Sequence, residues 1–361
     1  MKKSLLYSVL IAFLPLTACG QAPSITVPDG FKIEALNFSV PGARQMALAD
    51  NGMLVVGTRR QGDVYAIPNA LTEESPQVTK IVSGLTMPSG LTIHNGDLFI
   101  AALDEVIRIK DIESNYTFPD REYVTQDLPD ERHHGWKYIK FGPDDMLYVP
   151  VGAPCNICLS EDKRFASILR MDPNTGETEI WAEGVRNTVG FDWHPQTGAL
   201  WFSDNGRDMM GDDIPAEEIN ISTKAGQHFG YPFVHAGDID DPEFGDHKDR
   251  PTEMIDPEVK IQAHSAALGM EFYTGSQFPE RYNNAVFIAE HGSWNRTRKV
   301  GYQVSVVMAD GQYKPFATGW LVGQDNSGRP NDVLVTPDGA LLISDDQGGV
   351  IYRVTYDEGS D

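Results

Sequence analysis

The sequence predicts an all-β fold, a six-bladed β-propeller carrying a long insertion after the fourth inner strand. Three observations predict it. A strand phrase recurs along the chain, turn residues introduce most of its copies, and 34 Gly and 23 Pro among 361 residues favour turns over long helices. A unit of about 40–50 residues repeated radially is the mark of a propeller.

The recurring apolar strands, read as the inner ones, lie at 53–56, 97–100, 146–149, 199–202, 285–288 and 340–343. Anchored on Leu54, Leu98, Leu147, Leu200, Val286 and Leu341, the steps are 44, 49, 53, 86 and 55 residues. Turns such as Asp50-Asn51-Gly52, Asn95-Gly96 and Asp338-Gly339 supply tight-hairpin chemistry. Second strands follow at 64–67, 106–109, 168–171, 304–307 and 351–354, and more polar third strands at 122–124 and 179–181. Residues 31–35 precede the first unit, so this N-terminal strand is expected to complete the last blade and leave no open edge. A β-sandwich or two stacked domains fits the spacing less well. The 86-residue step marks an insertion at about 205–268, and long insertions in compact domains usually carry function.

Ahead of the propeller (31–361), Lys2 and Lys3 lead into an apolar run from Leu5 to Leu16, too short to span a bilayer. This reads as a secretory signal peptide over 1–18. Its end, Leu16-Thr17-Ala18-Cys19-Gly20, resembles a bacterial lipobox, which implies lipidation of Cys19, a short tether over 19–30 and a periplasm-facing envelope lipoprotein, expected at the outer membrane. The membrane is then a partner through the lipid alone. Cys155 and Cys158 lack the second pair a zinc ribbon needs and the βαβ setting of a redox motif, so a local disulfide bracing a loop is expected.

With 29 basic and 52 acidic residues the formal charge is −23, which argues against nucleic acid as a partner. Against that background five phrases gather unusual chemistry. They are His133-His134-Gly135-Trp136, Gly184-Val185-Arg186-Asn187, Asp204-Asn205-Gly206-Arg207-Asp208 running on to Glu217-Glu218, Ala289-Glu290-His291-Gly292-Ser293-Trp294-Asn295-Arg296, and Gly328-Arg329-Pro330-Asn331-Asp332. Imidazole is the usual base near neutral pH, the planar guanidinium pairs with carboxylates and flat rings, and acid-rich loops suit calcium. Together they suggest a planar polyanionic cofactor held by arginines and a metal, beside a histidine base.

These phrases resemble the soluble glucose/sorbosone dehydrogenase family, and the fourth and fifth resemble its sorbosone-dehydrogenase-like branch especially. The resemblance covers about 31–356 and implies a six-bladed propeller using pyrroloquinoline quinone (PQQ) and Ca²⁺ to oxidise a sugar or related aldehyde. Electrons would pass to an unidentified envelope acceptor. By resemblance His134, eight residues before Gly142, is the base that takes the hydroxyl proton. Arg186 and Asn187 lie beside the quinone, with Arg186 stabilising the oxyanion. The carbonyls of Gly206 and Arg207 hold the cofactor's calcium. Arg329 pairs with a PQQ carboxylate, His291 takes the place of a cofactor-binding lysine, and Arg296 assists. Glu218, with Glu217 nearby, ligates a second, structural calcium. Two departures stand out: Arg207 occupies the place of a proline in the glucose-oxidising members, and Asn331 that of a second arginine.

Other features read more plainly. His133 is expected to be a structural hydrogen-bonder, Trp193, Trp201 and Trp320 blade-packing aromatics, and the acidic run 238–249 a solvated loop. Ser344-Asp345-Asp346 fits either channel lining or a solvated turn. Two other function classes remain open: a calcium-dependent lactonase, and a non-catalytic envelope propeller binding a carbohydrate or protein.

Overall fold

The computed structural model describes residues 24–117 and 119–357. The signal-peptide segment and Cys19 lie outside the described residues. Six sheets are arranged as a six-bladed propeller. The first blade takes Ala43–Leu48, Leu54–Thr58, Val64–Ile67 and Thr79–Val82, in that order from the axis outward. The second takes Gly90–His94 to Glu122–Thr125, the third Lys140–Phe141 to Thr178–Glu183, the fourth Phe191–Trp193 to Val259–Ile261, and the fifth Ala267–Phe272 to Tyr313–Ala317. The sixth joins Pro330–Val335, Leu341–Asp345 and Val350–Tyr356 to the N-terminal strand Phe31–Ser39. Phe31 pairs with Tyr356 and Ile33 with Val354, so the expected closure is present. Phe31 also seats its ring edge-on to Phe278 at 4.8 Å and Phe316 at 5.1 Å, locking the seam with contacts worth about 1 kcal/mol each beyond area burial.

One expectation needs correction. The strands anchored on Leu54, Leu98, Leu147, Leu200, Val286 and Leu341 are second strands, not innermost ones. Each is preceded by an axial strand that touches the axial strands of neighbouring blades. The second strands are sandwiched on both faces and buried throughout in five of the six blades, so they read as apolar runs. The axial strands read as polar because their side chains bond the main chain of the next blades. Gln45 Oε1 accepts from Leu91 N (2.9 Å) and Ile139 N (3.0 Å), and Asp192 Oδ2 from Phe272 N (2.9 Å). Glu271 Oε2 accepts from Val335 N (2.9 Å) and Asp332 Oδ2 from Met46 N (2.8 Å), which stitches the sixth blade back to the first. Burial without such partners would cost several kcal/mol per group.

The insertion is two loops in the fourth blade. One runs from Asn205 to Ala216 between its second and third strands. The other follows the third strand, adds Gln227–His228 in parallel to the edge of the third blade, and forms the hairpin Val234–His235 with Ile239–Asp240. Within it Asp238, Asp240, Asp246 and Asp249 are exposed as expected, but Asp241 is buried and accepts from Arg207 and His235 (2.9 Å to His235). Trp320 is fully buried, Trp193 packs on Tyr148 and Phe191, and Trp201 packs on Phe272, so all three are blade aromatics. Cys155 and Cys158 form the expected disulfide.

Candidate functional site

Loops leaving the axial ends of the blades enclose a cavity of about 410 Å³, within the range of small-molecule sites. Its wall carries five guanidinium groups, Arg44, Arg59, Arg132, Arg186 and Arg329, against the carboxyl groups of Asp208 and Glu217. In a chain of charge −23 this is a strong local inversion. His133, His134, His264 and His291 add imidazoles, and Trp136 and Trp294 add ring faces.

His134 is held in a left-handed conformation (φ 53°), unusual for a residue with a side chain. Gly152 makes the position possible: a Cβ there would stand 2.5 Å from that of His134. Nδ1 lies 2.9 Å from the carbonyl oxygen of Ala153. A carbonyl only accepts, so Nδ1 carries the proton and Nε2 keeps its lone pair. Burial, aided by the Arg186 charge, pushes the imidazole well below its ordinary pKa. His134 is therefore neutral and pre-oriented, with the lone pair of Nε2 available to accept a proton.

Arg186 is pinned. Its Nε donates to Asn156 O (2.9 Å), Nη1 to Asn205 O (2.9 Å), and Nη2 to Asn156 Oδ1 (2.8 Å) and Asp208 Oδ2 (3.1 Å), leaving one Nη1 hydrogen uncommitted. Asn156 sits inside the Cys155–Cys158 loop and also bonds both main-chain groups of Asp208, at 2.9 and 3.0 Å. Tyr231 anchors that loop from outside, its hydroxyl accepting from Cys158 N at 3.0 Å. The disulfide loop thus stands behind the cavity wall and holds Arg186 in place, which its spacing alone did not reveal.

At the opposite end, Asp346 accepts from Arg44 (2.6 Å) and bonds His291 Nε2 (2.9 Å), and these partners hold its carboxyl far below the usual range despite burial. Burial keeps His291 neutral, pushed down to about 4. Arg329 donates to the carbonyls of His291 and Gly292, and its own N–H bonds Asp345 Oδ1 (2.8 Å). Asp345 and Asp346 are therefore cavity structure, not a solvated turn.

The oxygen-rich edge lies on the fourth blade. Glu217 lines the cavity beside Gly206 and accepts from Gly206 N (2.6 Å) and Ala266 N (3.1 Å). Burial pushes its carboxyl up to about 7. Glu218 and Asp204 stand behind it, pushed up to about 8 and about 6 by burial, with Glu218 raised further by the Asp204 charge. Glu218 accepts from Ala236 N (2.7 Å) and Asn220 Nδ2 (2.9 Å).

Of the residues singled out in the sequence, His134, Arg186, Asn187, Gly206, Glu217, His291 and Arg329 meet at the cavity. Arg207, Glu218 and Arg296 do not line it. Arg207 turns into the insertion to Asp241, and Arg296 is tied to the Asp212 carbonyl and to Asp213 (3.0 Å). His133 is an exposed cavity residue, not a buried hydrogen-bonder, its ring 4.1 Å from that of His134. Arg44 and Arg59 were missed, because Ala-Arg-Gln and Thr-Arg-Arg carry no spacing signal; only the blade geometry brings them to the axis.

The sequence matches the profile of the glucose/sorbosone dehydrogenase family over residues 100–353. A relative from Borreliella burgdorferi, itself described as an uncharacterized protein, is 33% identical over 97% of this chain and 95% of its own. Among solved structures, the holo PQQ domain of pyranose dehydrogenase from Coprinopsis cinerea is similar with a TM-score of 0.74 at 18% identity, covering 92% of this chain and 97% of that one. The PQQ-bound aldose sugar dehydrogenase from Streptomyces coelicolor has a TM-score of 0.63 at 18% identity, covering 92% and 100%. At such identities these two likenesses speak for the shared fold, while the profile match spans well over half of the residues. The chain belongs to the glucose/sorbosone dehydrogenase family.

Proposed function

We propose that the protein is a PQQ- and calcium-dependent dehydrogenase oxidising a sugar or related polyhydroxy or aldehyde substrate. One observation carries the reading: a neutral histidine with a free Nε2 faces a cavity walled by guanidinium groups in an acidic protein. The donor set fits a planar polyanion. Arg44 Nε is buried without a partner, and Asn187 Oδ1 is buried without a donor. Arg44, Arg329 and His291 would hold the cofactor's carboxylates at one end, with Arg186 and Asn187 beside its quinone. The edge formed by Gly206 and Glu217 suits a hard cation, since burial alone makes the Glu217 carboxylate unfavourable.

When bound, PQQ supplies a quinone that accepts two electrons as a hydride. The chain's own residues do the rest. His134 Nε2 takes the substrate hydroxyl proton, and its depressed pKa keeps it ready at neutral pH. The uncommitted Nη1 hydrogen of Arg186 offers a fixed donor to developing negative charge. The exposed Trp294 on the rim presents an apolar face to a sugar ring.

The test adds PQQ and Ca²⁺ to purified protein and follows dye reduction over a panel of sugars and aldehydes. Substrate-dependent reduction is expected; absence of both PQQ binding and reduction overturns the reading, and quinone-independent lactone hydrolysis would replace it. Placement in the cell envelope through a lipid on Cys19 belongs to the same proposal. Fatty-acid labelling that persists in Cys19→Ser would refute it.

A further inference from the structure

The five guanidinium groups of the cavity are not alike. Arg186 is bonded on three of its nitrogens, Arg44 is paired with Asp346, and Arg329 donates to two carbonyls. Arg59 and Arg132 make no side-chain hydrogen bond or ion pair among the described residues. Arg59 is half-buried, places its guanidinium carbon over the Trp136 indole at 3.9 Å from the ring centroid, and keeps its Nε out of solvent without a partner. Its neighbouring charges are mostly of its own sign. Burial lowers its pKa to about 10, with the charges of Arg44, Arg60 and Arg329 adding to the shift and that of Asp346 opposing it. Asp346 is already committed to Arg44 and His291, and Asp345 Oδ1 to the main-chain N–H groups of Arg329, Gln347 and Gly348. A second hollow of about 320 Å³, lined by Arg44, Arg59, Arg60 and Arg329, continues from this end.

An uncompensated cation held on an aromatic ring in a partly desolvated wall is costly unless an anion arrives. Its position says which anion. Trp136 and Arg132 each lie two residues from His134 on one loop, and the Trp136 ring is 5.8 Å from the His134 ring. Arg132 therefore flanks the base, where substrate must present its hydroxyl, and Arg59 reaches from the base's loop, through Trp136, to the end that Arg44, Arg329 and His291 line. We propose that Arg59 and Arg132 form a subsite for an anionic group on the substrate, so that this enzyme prefers a carboxylated or phosphorylated sugar over a neutral one. The inference rests on the dehydrogenase reading and adds the substrate class. Arg59 supplies a planar fork pre-set by Trp136, and Arg132, which is exposed, closes from the rim.

The experiment uses the full protein loaded with PQQ and Ca²⁺, with glucose, glucuronate and glucose 6-phosphate as probes. Dye reduction gives kcat/KM for each, and calorimetry of each probe with the unloaded protein gives binding without turnover. Wild type is expected to favour a charged probe over glucose at least tenfold, and added salt to erode that preference. In Arg59→Gln the charged-to-neutral ratio should fall at least tenfold while the PQQ titration stays within twofold. Arg59→Lys should recover only part of the ratio, since an ammonium lacks the fork. Glucuronate exceeding glucose 6-phosphate assigns a carboxylate, and the reverse a phosphate. A weaker PQQ titration in Arg59→Gln would give this cation to the cofactor and overturn the proposal, as would equal losses on all three probes. If PQQ does not bind at all, the dehydrogenase reading fails by itself; Arg59-dependent calorimetric binding of a charged probe still upholds the subsite, and its absence removes it.

Discussion

Arg186 and Arg59 face one cavity and differ in almost everything around the charge. Arg186 is gripped by Asn156, Asn205 and Asp208, and its orientation is set before anything binds. Arg59 has a ring beneath it and cations beside it. The first arrangement suits a group that must already be aimed when negative charge develops, because reorganising it during reaction would forfeit the stabilisation. The second suits a group whose missing partner is a ligand. His134 belongs with the pinned end, since the Ala153 carbonyl fixes its tautomer and Gly152 admits its backbone. On the proposed reading, the cavity thus joins rigidly held groups suited to chemistry with an unpartnered guanidinium suited to selection.

The largest expected effect breaks the pinned end at its base. His134→Gln should lower kcat by about 10²–10⁴-fold while PQQ still binds. The pH profile sharpens the assignment. Burial and the nearby Arg186 charge lower the His134 pKa, so the acid limb of kcat/KM should fall below the ordinary histidine value of 6.5. Activity is present above that limb and lost as pH drops through it, because only the neutral imidazole accepts a proton. A limb at or above 6.5, or an unchanged limb in His134→Gln, would exclude this imidazole as the base.

A smaller loss is expected one layer out, at Asn156, a positioning residue. Asn156→Ala removes the Oδ1 that accepts from Arg186 Nη2 and from Asp208 N but leaves the Asn156 carbonyl on Arg186 Nε. A net hydrogen bond to a charged group is worth about 1.5–3 kcal/mol, and partial retention argues for the lower end, roughly tenfold in kcat. The loss should appear in kcat with the charged-to-neutral substrate ratio intact, since the Asn156 contacts go to Arg186 and Asp208 and none reaches Arg59. A shift in that ratio would show that the two ends are one unit.

The same division explains what the sequence disclosed. The second strands announced themselves because burial on both faces makes them apolar runs, and Gly/Asp turns spaced them. The axial strands stayed hidden because Gln45, Asp192, Glu271 and Asp332 look like surface residues, whereas they satisfy main-chain groups of neighbouring blades. In the site, His134, Arg186, His291 and Arg329 stood in family-like phrases. Arg44, Arg59 and Asn156 stood in none, and their importance comes from contacts across 302, 77 and 30 positions of the chain, to Asp346, Trp136 and Arg186. Local patterns cannot carry such distances. Asp241 was read as solvated for the same reason, since its partners Arg207 and His235 are apparent only once the insertion folds back.

The smallest expected effect concerns the disulfide. Cys155 and Cys158 are separated by three positions, so their link closes a very short loop and restrains the unfolded chain by no more than about 2 kcal/mol. Its local consequence is more specific, because the loop holds Asn156 against Arg186 and Asp208 while Tyr231 bonds its far side. The double variant Cys155→Ser/Cys158→Ser leaves every one of those Asn156 contacts chemically available and only loosens their frame. A few-fold fall in kcat is therefore expected, smaller than that of Asn156→Ala, with a small drop in Tm and no change in selection between charged and neutral sugars. Treating wild type with a reductant should reproduce the same few-fold loss, and reoxidation should restore it. If the double variant instead loses as much as Asn156→Ala, the pinning of Arg186 resides in the covalent link and not in the amide. If it loses nothing, Tyr231 and the surrounding hydrogen bonds suffice to hold the rigid end.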